Sequence, residues 1–144
     1  MNNLADPMLL LPEIALCGLI VLLFVLDLLL KGDSRRHLGT ICAAGMGVSL
    51  AIAFFARGLG GATLSGAYLN DPMAVFFKCF FLLCALFVAV MSREYVARFD
   101  RGIGEFYILI TLATLGMVTI SAVTNLLVLF VSLELITLSF YVLT

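Results

Sequence analysis

At 144 residues, with 64% hydrophobic and 12% charged side chains, the chain lies far outside the roughly 45–50% apolar and 25% charged makeup of soluble domains. Water cannot be its main solvent, and a formal net charge of -1 leaves no basic patch to neutralise phosphates, which argues against nucleic-acid binding. These numbers predict an all-α fold, a polytopic membrane helix bundle.

A spanning helix needs about 20 mostly apolar residues to cross a hydrocarbon core of roughly 30 Å, and five stretches qualify. The first covers about residues 12–30. Pro12 suits a first helical position, and Glu13 sits where the positive end of the helix dipole favours an acid. The run is too long for a signal h-region and no small-residue cleavage pattern follows before Lys31, so it is expected to remain as a membrane anchor. The second helix, about 38–56, holds Gly39, Ala43, Gly47 and Ala51, a ladder of small residues spaced to let another helix approach.

Residues 57–70 are rich in glycine (Gly58, Gly60, Gly61 and Gly66) and predict an irregular loop or a short hairpin. At Asp71-Pro72 an Asp cap followed by Pro signals the start of a third helix, about 72–92. A fourth is expected over 105–122. Thr124-Asn125 then turns into a fifth, 125–144. No self-similar period and no low-complexity segment beyond the apolar bias is evident, so residues 1–144 read as one membrane domain with no soluble domain.

Short cytoplasmic loops collect Lys and Arg. The first loop carries Lys31, Arg35 and Arg36 and the third Arg93, Arg98 and Arg101, whereas the second, on the opposite side, has only Arg57. That asymmetry predicts an N-terminus outside, periplasmic if the membrane is a bacterial inner one.

Soluble-enzyme constellations are missing. The one histidine, His37, lies in a basic loop, which reads as a solvated interface residue and leaves no Ser-His-Asp or Cys-His arrangement. Cys17, Cys42, Cys79 and Cys84 all lie in apolar runs without zinc-type spacing and read as small buried hydrophobes. Glu13, Asp27, Asp71, Glu94 and Glu105 are near helix ends, where capping, dipole compensation or pairing accounts for them. Asp27 and Lys31, four apart in the acid-first order, are expected to pair.

Intramembrane charge is what remains. Glu134 comes nine residues after Asn125, about 13–14 Å along the fifth helix and near mid-membrane. Insertion scales put a central acidic residue at about 2.5–3.5 kcal/mol, tolerated mainly where the group pairs, protonates or lines a wet path. Removal from water favours the protonated carboxyl and a nearby cation favours the carboxylate, so an acid held between the two can load and release a proton. Thr137 and Tyr141, three and seven residues on, share its helix face and complete a candidate polar seam. The competing reading makes Glu134 a protonated helix–helix hydrogen-bonder. Lys78, six residues after Pro72, is about 9 Å along its helix, shallow enough to snorkel as an interfacial anchor. A part in the polar interior is the other option for it.

Several pieces share an order and spacing with a known family. They are Leu10-Leu11-Pro12-Glu13-Ile14, Asn70-Asp71-Pro72 with Phe76-Phe77-Lys78, Gly104-Glu105-Phe106-Tyr107, and Asn125-Leu126-Leu127-Val128-Leu129-Phe130-Val131-Ser132-Leu133-Glu134-Leu135 followed by Tyr141-Val142-Leu143. Together they resemble the N-type, antiporter-like membrane subunits of proton-pumping NADH:quinone oxidoreductase, respiratory complex I. The resemblance covers the whole chain.

It implies that Glu134 corresponds to the family's fifth-helix glutamate, which pairs with a lysine on a later helix and helps drive proton transfer. It also implies a larger fold of about fourteen helices in two inverted repeats, of which this chain supplies the N-terminal five. The chain is then a piece of a longer subunit, or its remainder arrives as a separate polypeptide. NADH, flavin, iron-sulfur clusters and quinone are expected on partner subunits, since no Gly-rich fingerprint or Cys framework stands here; the expected neighbours are other membrane subunits and the lipid bilayer. A cation/proton antiporter or membrane-bound hydrogenase subunit would use the same glutamate, and a non-catalytic membrane scaffold would use it only for packing.

Overall fold

A computed structural model describes residues 7–30, 34, 36–58, 61–63, 67–96, 98 and 102–144. It contains five long helices, α1 (Leu11–Leu29), α2 (His37–Phe55), α3 (Pro72–Val96), α4 (Ile103–Ile120) and α5 (Leu126–Leu143), with a two-stranded hairpin, β1 (Gly61–Thr63) and β2 (Tyr68–Asn70), between α2 and α3. All five helices are long and apolar enough to cross a membrane, and a polytopic helix bundle is what the composition predicts.

The Asp71 start signal acts as read, and the expected Thr124-Asn125 turn also supplies a cap. Asp71 caps α3 by accepting a hydrogen bond from the Ala74 amide at 2.7 Å, and the Asn125 side chain accepts from the Leu127 amide at 2.9 Å to open α5, each satisfying an amide that lacks an intrahelical partner. The glycine-rich loop is a hairpin, paired antiparallel through Gly61–Asn70, Ala62–Leu69 and Thr63–Tyr68. Helix α3 runs to Val96, past the expected end at 92, so Arg93 and Glu94 lie within its last turns. From there Arg93 donates to the Thr40 hydroxyl at 2.8 Å. Helix α4 begins two residues earlier than expected, after Gly102, whose φ of 82° is a left-handed conformation that glycine adopts without strain.

Helix α4 is central and packs against α1, α2, α3 and α5, while α5 packs chiefly against α4. The largest core cluster includes Leu19 and Leu23 of α1, Leu38, Cys42 and Met46 of α2, Ala85 and Ala89 of α3, and Tyr107 and Ile110 of α4. Buried hydroxyls on α4 fold back on their own helix: Thr111 donates to the Tyr107 carbonyl and Thr114 to that of Ile110, so neither leaves an unpaired polar group in an apolar interior. The outside is apolar too, with Phe76, Phe80, Phe87, Leu126, Phe130 and Val142 all exposed, as a lipid-facing or subunit-facing surface requires.

Three expectations need correction. The small-residue ladder of α2 is not one contact. A Cβ on Gly39 would meet the Tyr107 hydroxyl at 2.5 Å, but Gly47 has nothing within 4 Å, because Gly47 and Ala51 line an open apolar groove beside Phe76, Cys79 and Phe80. The close approach of α1 to α2 falls instead at Gly45, against Leu19. Secondly, only Cys42 of the four cysteines is fully buried; Cys17 and Cys84 are exposed and Cys79 is intermediate, since an apolar run in a membrane segment has outward positions as apolar as its inward ones. The third concerns Lys78 and belongs to the site below. The expected Asp27–Lys31 pair involves Lys31, which lies outside the described residues, as do Arg35 and Arg101.

Candidate functional site

Two polar groupings stand out from the apolar bundle. The first is the face of α5 that carries Glu134, Thr137 and Tyr141, all of them exposed. The only buried residues of α5 are Ser132 and Ser139, and Ile136 meets Gly116 of α4 on the same side. Glu134 is two residues from both Ser132 and Ile136, so at about 100° per residue it points to nearly the opposite side. Its carboxyl is midway along the helix and turned away from α4. Thr137 and Tyr141 share that outward side, but the Thr137 hydroxyl donates to the backbone carbonyls of Leu133 and Glu134 at 3.0 Å each rather than to the acid.

The second grouping lies inside the bundle, at the end where α1 and α3 begin. Lys78 is 2% exposed, and the residues around it, Glu13, Tyr68 and Asn70, are 8%, 3% and 3% exposed. The Lys78 ammonium stands 3.2 Å from Glu13 Oε1 and donates to Asn70 Oδ1 at 3.1 Å and to the Tyr68 hydroxyl. Tyr68 donates in turn to Glu13 Oε1. Lys78 therefore does not snorkel, and of the roles expected for Glu13 at a helix end the structure shows pairing, with a buried partner. Each sits on the inward stripe of its helix: Glu13 with Leu16, Leu19 and Leu23 on α1, Lys78 with Ala74, Val75, Leu82 and Ala85 on α3. With inward-facing stems the two charges meet each other before either reaches the surface.

Burial first, and then the Glu13 carboxylate, push the Tyr68 phenol far above its usual range, so it stays a phenol and can donate. The other Glu13 oxygen, Oε2, is buried and accepts no hydrogen bond from the described residues. Sequence reading missed Glu13, Tyr68 and Asn70 as a set, although one signal was available on α3. Lys78 shares its stripe with Ala74, Ala85 and Ala89, while Phe76, Phe80 and Phe87 occupy the other side; small residues mark the face that neighbouring helices approach.

The hairpin links this cluster to α5. Leu69 donates to the Ala122 carbonyl at 2.7 Å and Thr124 to that of Ala67 at 3.0 Å, with Tyr68 and Val123 forming a bridge between them. Strand β2 thus presents Tyr68 and Asn70 side chains to Lys78 and ties its backbone to the turn that enters the Glu134 helix. No group of three or more His, Cys, Asp or Glu able to hold a metal occurs among the described residues.

No family model matches the chain, but individual proteins do. NADH-quinone oxidoreductase subunit N of Desulfitobacterium hafniense is 39% identical over 133 residues, covering 91% of this chain and 27% of that protein. The subunit N of Moorella thermoacetica is 37% identical over 131 residues, covering 91% and 27%, and subunit N 2 of Aquifex aeolicus is 35% identical over 138 residues, covering 93% and 28%. The chain thus spans 27–28% of the length of these curated relatives. Over 91–93% of its own length, this membrane helix bundle is homologous to NADH-quinone oxidoreductase subunit N.

Proposed function

We propose that this chain is part of a membrane subunit of an NADH:quinone oxidoreductase that helps translocate protons, with the redox chemistry, its NADH, flavin, iron-sulfur clusters and quinone, carried by partner subunits. Glu134 is its proton carrier. The observation that carries this reading is the position of that carboxyl, halfway along an apolar spanning helix on the face turned away from α4. An acid in such a place costs about 2.5–3.5 kcal/mol to insert, and that cost is met where the group protonates, pairs or borders a hydrated path. The homology supports the reading independently, since the relatives are named as subunits of that oxidoreductase.

The carboxyl alternates between two states. In one it carries a proton, and in the other it stands as a carboxylate paired with a cation brought beside it. The cation is a lysine on a helix outside this chain, packed on the α5 face that Glu134, Thr137 and Tyr141 share. Thr137 and Tyr141 supply hydroxyls for the water that links the steps. The subunit lies in a bacterial inner membrane with its N-terminal end outside, and its neighbours are lipid and other membrane subunits.

The test replaces Glu134 with Gln in the full-length subunit within its complex and measures protons moved per NADH oxidised. A lower ratio at normal assembly is expected. An unaltered ratio at normal assembly removes Glu134 from the mechanism.

A further inference from the structure

We infer that Glu13, Tyr68 and Lys78 form a second proton-transfer site, at the hairpin end of the bundle, through which protons pass between the membrane interior and the nearby surface. The inference rests on the proton-translocation reading above and adds to it a site on α1, α3 and the hairpin, away from the α5 face that carries Glu134. Three observations carry it. A lysine and a glutamate, each more than nine-tenths buried, meet inside a membrane bundle at 3.2 Å. A phenol stands between them, accepting from Lys78 and donating to Glu13. The remaining carboxylate oxygen, Oε2, is buried and accepts no hydrogen bond from the described residues, so a lone pair stays open to a further proton. A buried ion pair adds little stability over apolar packing of the same volume, and ionisable groups held inside spanning helices mark proton and ion paths.

The hydrogen-bond directions define the step. An Nζ–H bond of Lys78 breaks as its proton forms a bond to the Tyr68 oxygen, while the Tyr68 O–H bond breaks as its proton forms a bond to Glu13 Oε1. The products are a neutral amine, a regenerated phenol and a neutral carboxylic acid. Charge is conserved, no oxidant or reductant takes part, and the reverse movement restores the ion pair. A low-dielectric interior disfavours separated charges, which the neutral pair lacks, and strengthens the pull of a charge passing nearby on the ion pair. Asn70, donated to by Lys78 at 3.1 Å, positions the ammonium. Titratable groups near the cluster on the same elements include Cys17 on α1, Cys79 on α3 and Asp71 at the cap of α3.

The experiment uses the full-length subunit in its complex, with two variants that separate a proton carrier from a structural ion pair. Lys78→Arg keeps the positive charge and the pairing, but a guanidinium does not give up its proton. Glu13→Gln with Lys78→Met removes both charges together and leaves neither stranded. Both are expected to assemble and oxidise NADH normally with a reduced ratio of protons moved to NADH oxidised. A Lys78→Arg complex that assembles with an unaltered ratio overturns the inference; should that variant fail to assemble, an unaltered ratio in the double variant does so. Failure of both to assemble assigns the cluster to folding and overturns it as well. Glu134→Gln run beside them separates the two readings: a ratio lowered by that substitution and untouched by the Lys78 and Glu13 variants sinks this site alone, whereas a ratio untouched by all three sinks the proton-carrying role of the chain.

Discussion

Tyr68 and Val123 are paired as an antiparallel bridge, although one belongs to the hairpin before α3 and the other to the turn after α4. The bridge holds the loop that supplies Tyr68 and Asn70 to the buried Lys78 against the loop that starts α5. The Glu13–Lys78 pair and the base of the Glu134 helix are thereby joined through hydrogen-bonded backbone, from Leu69 to Ala122 and from Thr124 to Ala67. The two polar groupings share this backbone support.

Gly116 sets how closely α5 can lie on α4. A Cβ there would meet Ile136 Cγ1 at 2.7 Å and the Ser132 carbonyl oxygen at 3.0 Å, and the second of these is backbone that cannot swing aside. Gly116→Ala is expected to destabilise the purified subunit by about 1–3 kcal/mol, the range for overpacking. Gly47→Ala, with nothing within 4 Å, is expected to be neutral or to stabilise by about 0.5–1 kcal/mol through helix entropy. Thermal unfolding midpoints in detergent check the pair, and equal shifts for the two would mean that α4 and α5 do not approach at Gly116.

The Asn125 cap makes a local prediction. Its side chain serves the Leu127 amide, in a first turn whose side chains are largely exposed. Asn125→Ala should cost about 1 kcal/mol of local helix stability and speed exchange of that amide about fivefold. Amides near Leu133, in the middle of α5, should exchange as before. Hydrogen exchange read by mass spectrometry gives the answer, and an unchanged rate at Leu127 would mean that the cap contributes nothing.

The helices, the hairpin and the Asp71 cap were legible because each rests on a local signal: a long apolar run, a glycine cluster, an Asp before the first turn. The inward faces were not. In a soluble helix the polar side marks the outside, but in α1 and α3 nearly every position is apolar, so polarity offers no contrast by which to rotate Glu13 or Lys78 inward, and only the small-residue stripe of α3 marks a face. Reach alone suggested that Lys78 would snorkel, and what decides otherwise is long-range: Glu13 lies 65 positions earlier in the chain, and Asn70 and Tyr68 arrive on a hairpin. The same lack of contrast hid the exposure of Cys17 and Cys84. Glu134 was legible as a mid-helix acid, and its outward direction follows only once α4 is known to cover Ser132 and Ile136.

The buried pair also predicts an asymmetry in stability. Lys78→Met leaves the Glu13 carboxylate in the core without its cation, and breaking a buried ion pair in this way costs about 3–5 kcal/mol. Adding Glu13→Gln to that variant removes the stranded charge, and most of the loss should return. The measurement is the unfolding midpoint of each purified variant. A double variant no more stable than Lys78→Met alone would show that the pair is not energetically coupled.

Orientation in the membrane is open to a direct test. Among the described residues Arg36, Arg93 and Arg98 lie at the end where α2 and α4 begin, and Arg57 lies at the hairpin end; Lys31, Arg35 and Arg101 add to the first group by sequence. An excess of Lys and Arg in short loops marks the cytoplasmic side, so the hairpin, the α4–α5 turn and the Glu13–Lys78 cluster beneath them should face outward. His37 and Thr124 are exposed at opposite ends. With the four native cysteines replaced, Thr124→Cys should react with a membrane-impermeant maleimide in right-side-out vesicles, and His37→Cys only in inverted ones. The reverse pattern would turn the bundle over, and the proton site at Lys78 would then open to the cytoplasm.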